Sequence, residues 1–86
     1  MASRYQVLIR PSAEPDARSI PNPTLRRINR RVEHLADDPR PPGCKKLGDP
    51  NIFRIRQGDY RVIYTIDDTN RIVEVLAIAH RREVYR

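Results

Sequence analysis

The sequence has one cysteine, Cys44, so no internal disulfide can form. Cys44 also has no companion at metal-ligand spacing, and a reducing cytoplasmic setting with no metal site is expected. Long apolar runs are missing too. None approaches the roughly 20 residues that a membrane helix requires, so no membrane partner is expected. The opening MASRYQVLIRPSAEPD has too short an apolar centre and too many polar residues for a signal peptide. Repeats are absent, and the compositional bias is confined to a short proline cluster. Lysine is scarce as well: Lys45 and Lys46 are the only two, so arginine carries nearly all the positive charge.

What is present is a chain of 86 residues with net charge +6 and a pI near 10.2. This length bounds the protein to one domain, 1–86, near the lower limit for a self-sufficient core. Arginine prefers planar, two-pronged partners such as phosphate and carboxylate, whereas lysine acts as a point charge. Nucleic acid or an acidic protein is therefore the natural partner class.

The strongest pattern is in the last third, Phe53 to Arg86, which reads as three consecutive antiparallel strands. A two-residue loop at Gly58-Asp59, with glycine first as a type II′ turn needs, sets Gln57 opposite Tyr60. Arg56 then faces Arg61, Ile55 faces Val62 and Phe53 faces Tyr64. This register sends the apolar residues to one face and Arg54, Arg56 and Arg61 to the other. A shift of one residue would mix the faces, which a half-buried sheet does not tolerate. Three arginines on one face repel each other unless an anion is supplied, so this face is a candidate phosphate site.

Upstream, Tyr5 to Ile9 alternates as a first strand and stops at Pro11. Ser12 is placed to cap a short helix over Ala13 to Arg18. Asn22 as N-cap and Pro23 at the first helical position open a second helix. Leu25, Ile28, Val32 and Leu35 recur at spacings of three, four and three, forming one apolar stripe. Arg26, Arg27, Arg30 and Arg31 flank the stripe and read as a solvated face, with His34 a surface residue. DDPRPPG ends the helix, and Lys45 to Leu47 lead into the sheet as a short edge segment. The fold class is α+β, in β-α-α-β-β-β order, with an antiparallel sheet and two N-terminal helices on one face. The expected core is Leu25, Ile28, Val32 and Leu35 packed on Val7, Ile9, Phe53, Ile55, Val62, Tyr64 and Ile66.

The run KKLGDPNIFRIRQGDYRVIYTIDD, followed by VLAIAHRREVYR, resembles the RelE branch of the RelE/ParE toxin superfamily. PRPPG and the helix before it fit the same pattern. The resemblance implies a toxin of a type II toxin–antitoxin pair, held inactive by a cognate antitoxin. When free, such a toxin cleaves mRNA in the ribosomal A site, against ribosomal RNA, through the 2′-hydroxyl and without metal or cofactor. Carried over by position, Arg54 and Arg56 correspond to the basic pair on the strand before the hairpin. Arg61 is the hairpin arginine, Arg81 the arginine after the last strand, and Tyr85 the C-terminal tyrosine. Arg82, Lys45 and Lys46 add phosphate-binding charge.

Two departures matter. The best-known family members carry lysines where Arg54 and Arg56 stand, and guanidinium stays protonated, so neither arginine is a credible general base. Pro15 also replaces an ordinary helix former. For proton transfer the candidates are His80, Glu83 and Tyr85, with His80 best matched by the ordinary pKa of its residue type. Tyr85 also suits stacking on an unpaired base. Two other readings remain open: a ParE-like DNA gyrase inhibitor, and a non-enzymatic module that binds RNA or its antitoxin. Fold alone does not separate them.

Overall fold

A computed structural model describes residues 4–48 and 51–80. The chain runs β1 (Gln6–Ile9), a 3-10 turn (Pro11–Ala13), α1 (Glu14–Arg18), α2 (Asn22–His34), β2 (Lys45–Lys46), β3 (Ile52–Gln57), β4 (Tyr60–Asp67) and β5 (Ile72–His80). The strands form one five-stranded sheet in the order β1-β5-β4-β3-β2. Among the described residues no helix is long and apolar enough to cross a membrane.

The hairpin register follows the sequence pattern. Arg56 pairs with Arg61, Ile55 with Val62 and Phe53 with Tyr64. Gly58 has φ +60°, the conformation that the first turn position of a type II′ loop demands and that glycine adopts without steric penalty. At the other end of β4, Asp67 Oδ1 accepts the Asn70 N–H at 3.0 Å and the chain turns through Arg71 at φ 56°.

The sheet departs from the expected all-antiparallel form. β1 lies parallel to β5, with Val7 opposite Val73 and Ile9 opposite Val75. Hairpin logic does not reach this pairing, because its partners are more than 60 residues apart and a crossover joins them. β1 ends at Ile9, and the outer edge of β5 is then covered by side chains: Ser12 Oγ donates to the Leu76 carbonyl (3.3 Å), and Asp16 Oδ2 accepts the Ile78 N–H (3.1 Å). Ser12 is thus engaged with the sheet and does not cap α1, which begins only at Glu14. Asn22 is likewise inside α2, with Pro21 in the cap position.

The core lies between α2 and the helix-side face of the sheet. Ile28, Val32, Leu35, Phe53, Ile55, Val62, Tyr64 and Ile66 are buried as expected, and Ala13, Ile20, Val73, Val75 and Ile78 join them. Leu25 and Val7 pack at its margin. Ile9 departs from the expected core: on the edge strand it is 45% exposed. Tyr64, fully buried, donates its hydroxyl to the Pro39 carbonyl at 2.7 Å and sits 3.3 Å from Cys44 Sγ. This contact seats the proline turn and accounts for Cys44 as a partly buried neighbour of the core. Burial, and then the hydrogen bond with Cys44, raise the Tyr64 hydroxyl pKa far above its ordinary value, so it stays a donor.

Candidate functional site

The face of the sheet away from α2 collects the basic residues of β2, β3 and β4. Directly opposed residues share a face. The ladder therefore sets Lys45 beside Arg54, and Arg56 beside Arg61, on one side. Phe53, Ile55, Val62 and Tyr64 on the other side hold this arrangement by being buried against α2, because a register slip would reverse every side chain. Two of the arginines are far less accessible than a charged surface face suggests: Arg54 is 9% exposed and Arg61 6%, whereas Arg56 is open to solvent. A guanidinium so deeply placed is stable only when partnered, and each of these two is.

The same face continues past the arginines into a groove of about 730 Å³ lined by Arg10, Ile52, Thr65 and Leu76, with Asn51 and Asp67 at its end. Ile52 and Thr65 are cross-strand partners, one step along the face from Arg54 and Ile63. Arg10 is held there by Glu74, with Nη2–Oε1 at 3.2 Å. Ile66 and the turn residues Asp68 and Thr69 complete the groove lining, and the alignment of these residues depends on how β1, β3, β4 and β5 assemble.

The structure separates two residues from this group. Lys46 is opposite Phe53 and so turns to the other face from Lys45. His80 pairs with Tyr60 and stands edge-on to its ring, with centroids 5.2 Å apart. Tyr60 packs against the core, so His80, a candidate for proton transfer, lies on the helix side and not on the face of Arg54, Arg56 and Arg61. The reason is the alternation of β5 together with a register shift between Ile63 and Tyr64, which sequence periodicity does not reveal. Arg81, Arg82, Glu83 and Tyr85 lie outside the described residues. Among the described residues no group of three or more His, Cys, Asp or Glu is arranged to hold a metal ion.

A polar clamp supports the site from the far end of the sheet. Arg40, in the proline turn, makes two hydrogen bonds to Asp68 (2.9 and 3.3 Å), and Tyr5 Oη donates to the same carboxylate at 2.6 Å. The Arg40 guanidinium also lies over the Phe53 ring, 5.3 Å from its centre. The hydrogen bond from Arg40, then that from Tyr5, holds the Asp68 carboxyl below its ordinary pKa, while the Asp68 hydrogen bond raises that of Tyr5. Tyr5, Arg40 and Asp68 thus tie the start of β1, the proline turn and the β4–β5 turn into one unit.

A small α+β domain with helices on one face of the sheet is the fold this chain shares with solved RelE toxins. Residues 7–85 match the family profile described as "ParE toxin of type II toxin-antitoxin system, parDE", and the chain belongs to this RelE/ParE family of type II toxins. It is 43% identical over 47 residues to toxin RelE of Mycobacterium tuberculosis; that match covers 48% of each protein, about half the length of that relative. The fold superimposes on the archaeal RelE–RelB complex from Pyrococcus horikoshii with TM-score 0.82 at 28% identity, covering 91% of this chain and 96% of the other. It also matches the toxin–antitoxin complex RelBE2 of Mycobacterium tuberculosis with TM-score 0.79 at 28% identity, covering 91% and 99%.

Proposed function

We propose that this toxin is an endoribonuclease that cleaves mRNA in the ribosomal A site, with the arginine face of the sheet as its phosphate-binding surface. The observation that supports this reading most directly is the clustering of Arg54, Arg56 and Arg61 on the one sheet face that α2 leaves open. In the reaction the 2′-oxygen forms a bond to the adjacent phosphorus, and the bond from phosphorus to the 5′-oxygen breaks. The 2′-hydroxyl gives up its proton and the departing oxygen gains one, leaving a cyclic phosphate and a 5′-hydroxyl.

The nucleophile belongs to the substrate, so orientation alone contributes several kcal/mol. Permanently charged guanidiniums suit the remaining task, compensating the charge that builds on the non-bridging oxygens through two-pronged hydrogen bonds. Arg61 and Arg56, side by side across the hairpin, are the pair proposed to meet the scissile phosphate. Arg54 and Lys45 are proposed to hold a neighbouring one, together with Arg81 and Arg82 beyond the last strand. Tyr85 is proposed to stack on an unpaired base. The groove at Ile52 and Thr65 offers room for the strand to continue.

The likeness to relatives solved as toxin–antitoxin complexes supports a cognate antitoxin that holds this chain inactive. A second reading, inhibition of DNA gyrase, draws support from the ParE description of the family profile that the chain matches. Primer extension on message from programmed ribosomes decides between them. Cuts within translated codons support the nuclease. Intact message together with lost gyrase supercoiling would assign the chain to the second activity.

A further inference from the structure

We propose that a second anion site, on α2 and separate from the arginine face, binds the backbone phosphates of a folded, double-helical RNA. Arg27, Arg30, Arg31 and His34 line a pocket of about 310 Å³ together with Gln57 at the end of β3. Their spacing of three, four and seven residues puts all four on one face of the helix and over about 10 Å of its length. That span suits two adjacent phosphates.

Four observations carry the inference. Within α2, Arg27 with Arg30 and Arg27 with Arg31 are like-charge neighbours, an arrangement that disfavours the helix by a few tenths of a kcal/mol per pair. Among the described residues no carboxylate lies within ion-pair distance of Arg27, Arg30 or Arg31, although Arg4, Arg10 and Arg40 each have one. The pocket is lined only by arginine, histidine and glutamine, with no aliphatic side chain to serve as an anchor point. An acidic helix or strand from a protein partner would anchor through apolar side chains, whereas a phosphate backbone needs only forked donors. Finally, Gln57 lines the pocket while its chain neighbour Arg56 turns to the opposite sheet face. The edge of β3 is therefore flanked by cations on both sides, and one RNA assembly can touch both. The choice of RNA as the polyanion rests on the nuclease reading; the anion site itself does not.

The test is binding of a fluorescent RNA duplex of about 20 base pairs to the full chain across a salt series. Arg27→Gln/Arg30→Gln/Arg31→Gln should lose at least about 10-fold in affinity, and its log–log salt slope should fall by about 2 to 3, one lost phosphate contact per arginine. Arg18→Gln/Arg26→Gln, which removes exposed charge outside the pocket, should change affinity by less than about 3-fold. Arg27→Lys/Arg30→Lys/Arg31→Lys retains the charge and should restore most of the slope, which guards against a folding defect in the glutamine variant. Equal losses in the pocket and control variants would overturn the proposal, since general charge would then explain binding. So would intact duplex binding with lost affinity for a polyglutamate peptide, which would assign the pocket to an acidic protein. Cleavage by programmed ribosomes is measured alongside. Duplex binding that depends on the pocket, in a wild type that cuts no message, would sink the nuclease reading and leave the pocket standing.

Discussion

Arg56 and Arg61 stand directly opposite each other across the β3–β4 hairpin, yet one is open to solvent and the other is 6% exposed. This inequality separates their roles. Arg56 is free to swing toward a phosphate, whereas Arg61 is built into the face and arrives pre-oriented. Preorganised donors lose least on meeting developing charge. Arg61→Ala is therefore expected to reduce ribosome-dependent cleavage by about 10²-fold or more in single-turnover measurements, and Arg56→Ala by less. Wild-type cleavage by Arg61→Ala would refute the site.

Stability should divide the same pair. On charge repulsion alone, removing either arginine would relieve a crowded face. Burial reverses this for Arg61, because truncating a side chain only 6% exposed removes its packing within the face. Thermal unfolding should show Arg61→Ala melting at least about 5 °C below wild type, the range for a loss of one to two kcal/mol in a domain of this size. Arg56→Ala should melt within about 2 °C of wild type.

His80→Gln should leave the pH profile of cleavage unchanged. The imidazole meets the Tyr60 ring on the helix side and is not among the arginines. The expected effect is a modest fall in melting temperature through the lost ring contact. A flattened pH profile would show instead that the imidazole reaches the reacting groups.

The Tyr64 hydroxyl offers a test of the core. Tyr64→Phe keeps the ring but removes the donor to the buried Pro39 carbonyl, which should lower stability by about 1–3 kcal/mol in urea titrations. Unchanged unfolding would mean that the proline turn is seated without this bond.

The clamp at Asp68 should make stability depend on pH at both ends. Its carboxyl has a lowered pKa in the folded state, so its contribution is present above the ordinary carboxylate range and lost as pH falls through about 4 and below. Tyr5 has a raised pKa, so its part is present below about 10 and lost as pH rises beyond it. Urea midpoints of wild type and Asp68→Asn should differ at pH 6 and converge near pH 3. A constant difference over that range would show that the Asp68 carboxylate is not what Arg40 and Tyr5 hold.

The sequence by itself determined the parts whose physics is local. Alternation across Phe53 to Ile66, together with a glycine at the turn, leaves one register in which apolar residues share a face. The three-and-four spacing of Leu25, Ile28, Val32 and Leu35 likewise marks the buried side of α2. The arginine face followed from the same alternation, because in a strand a side chain's direction is set by counting residues. Tertiary structure alone decided the rest. The parallel pairing of β1 with β5 brings together residues with no local signal, and it places Arg10 in the groove and Ile9 at an exposed edge. The register shift opposite Tyr64 sends His80 to the helix side, and the packing of α2 against β3 gathers Arg27, Arg30, Arg31 and Gln57 into a pocket. These outcomes depend on contacts between distant segments, and residue counting within one segment carries no information about them.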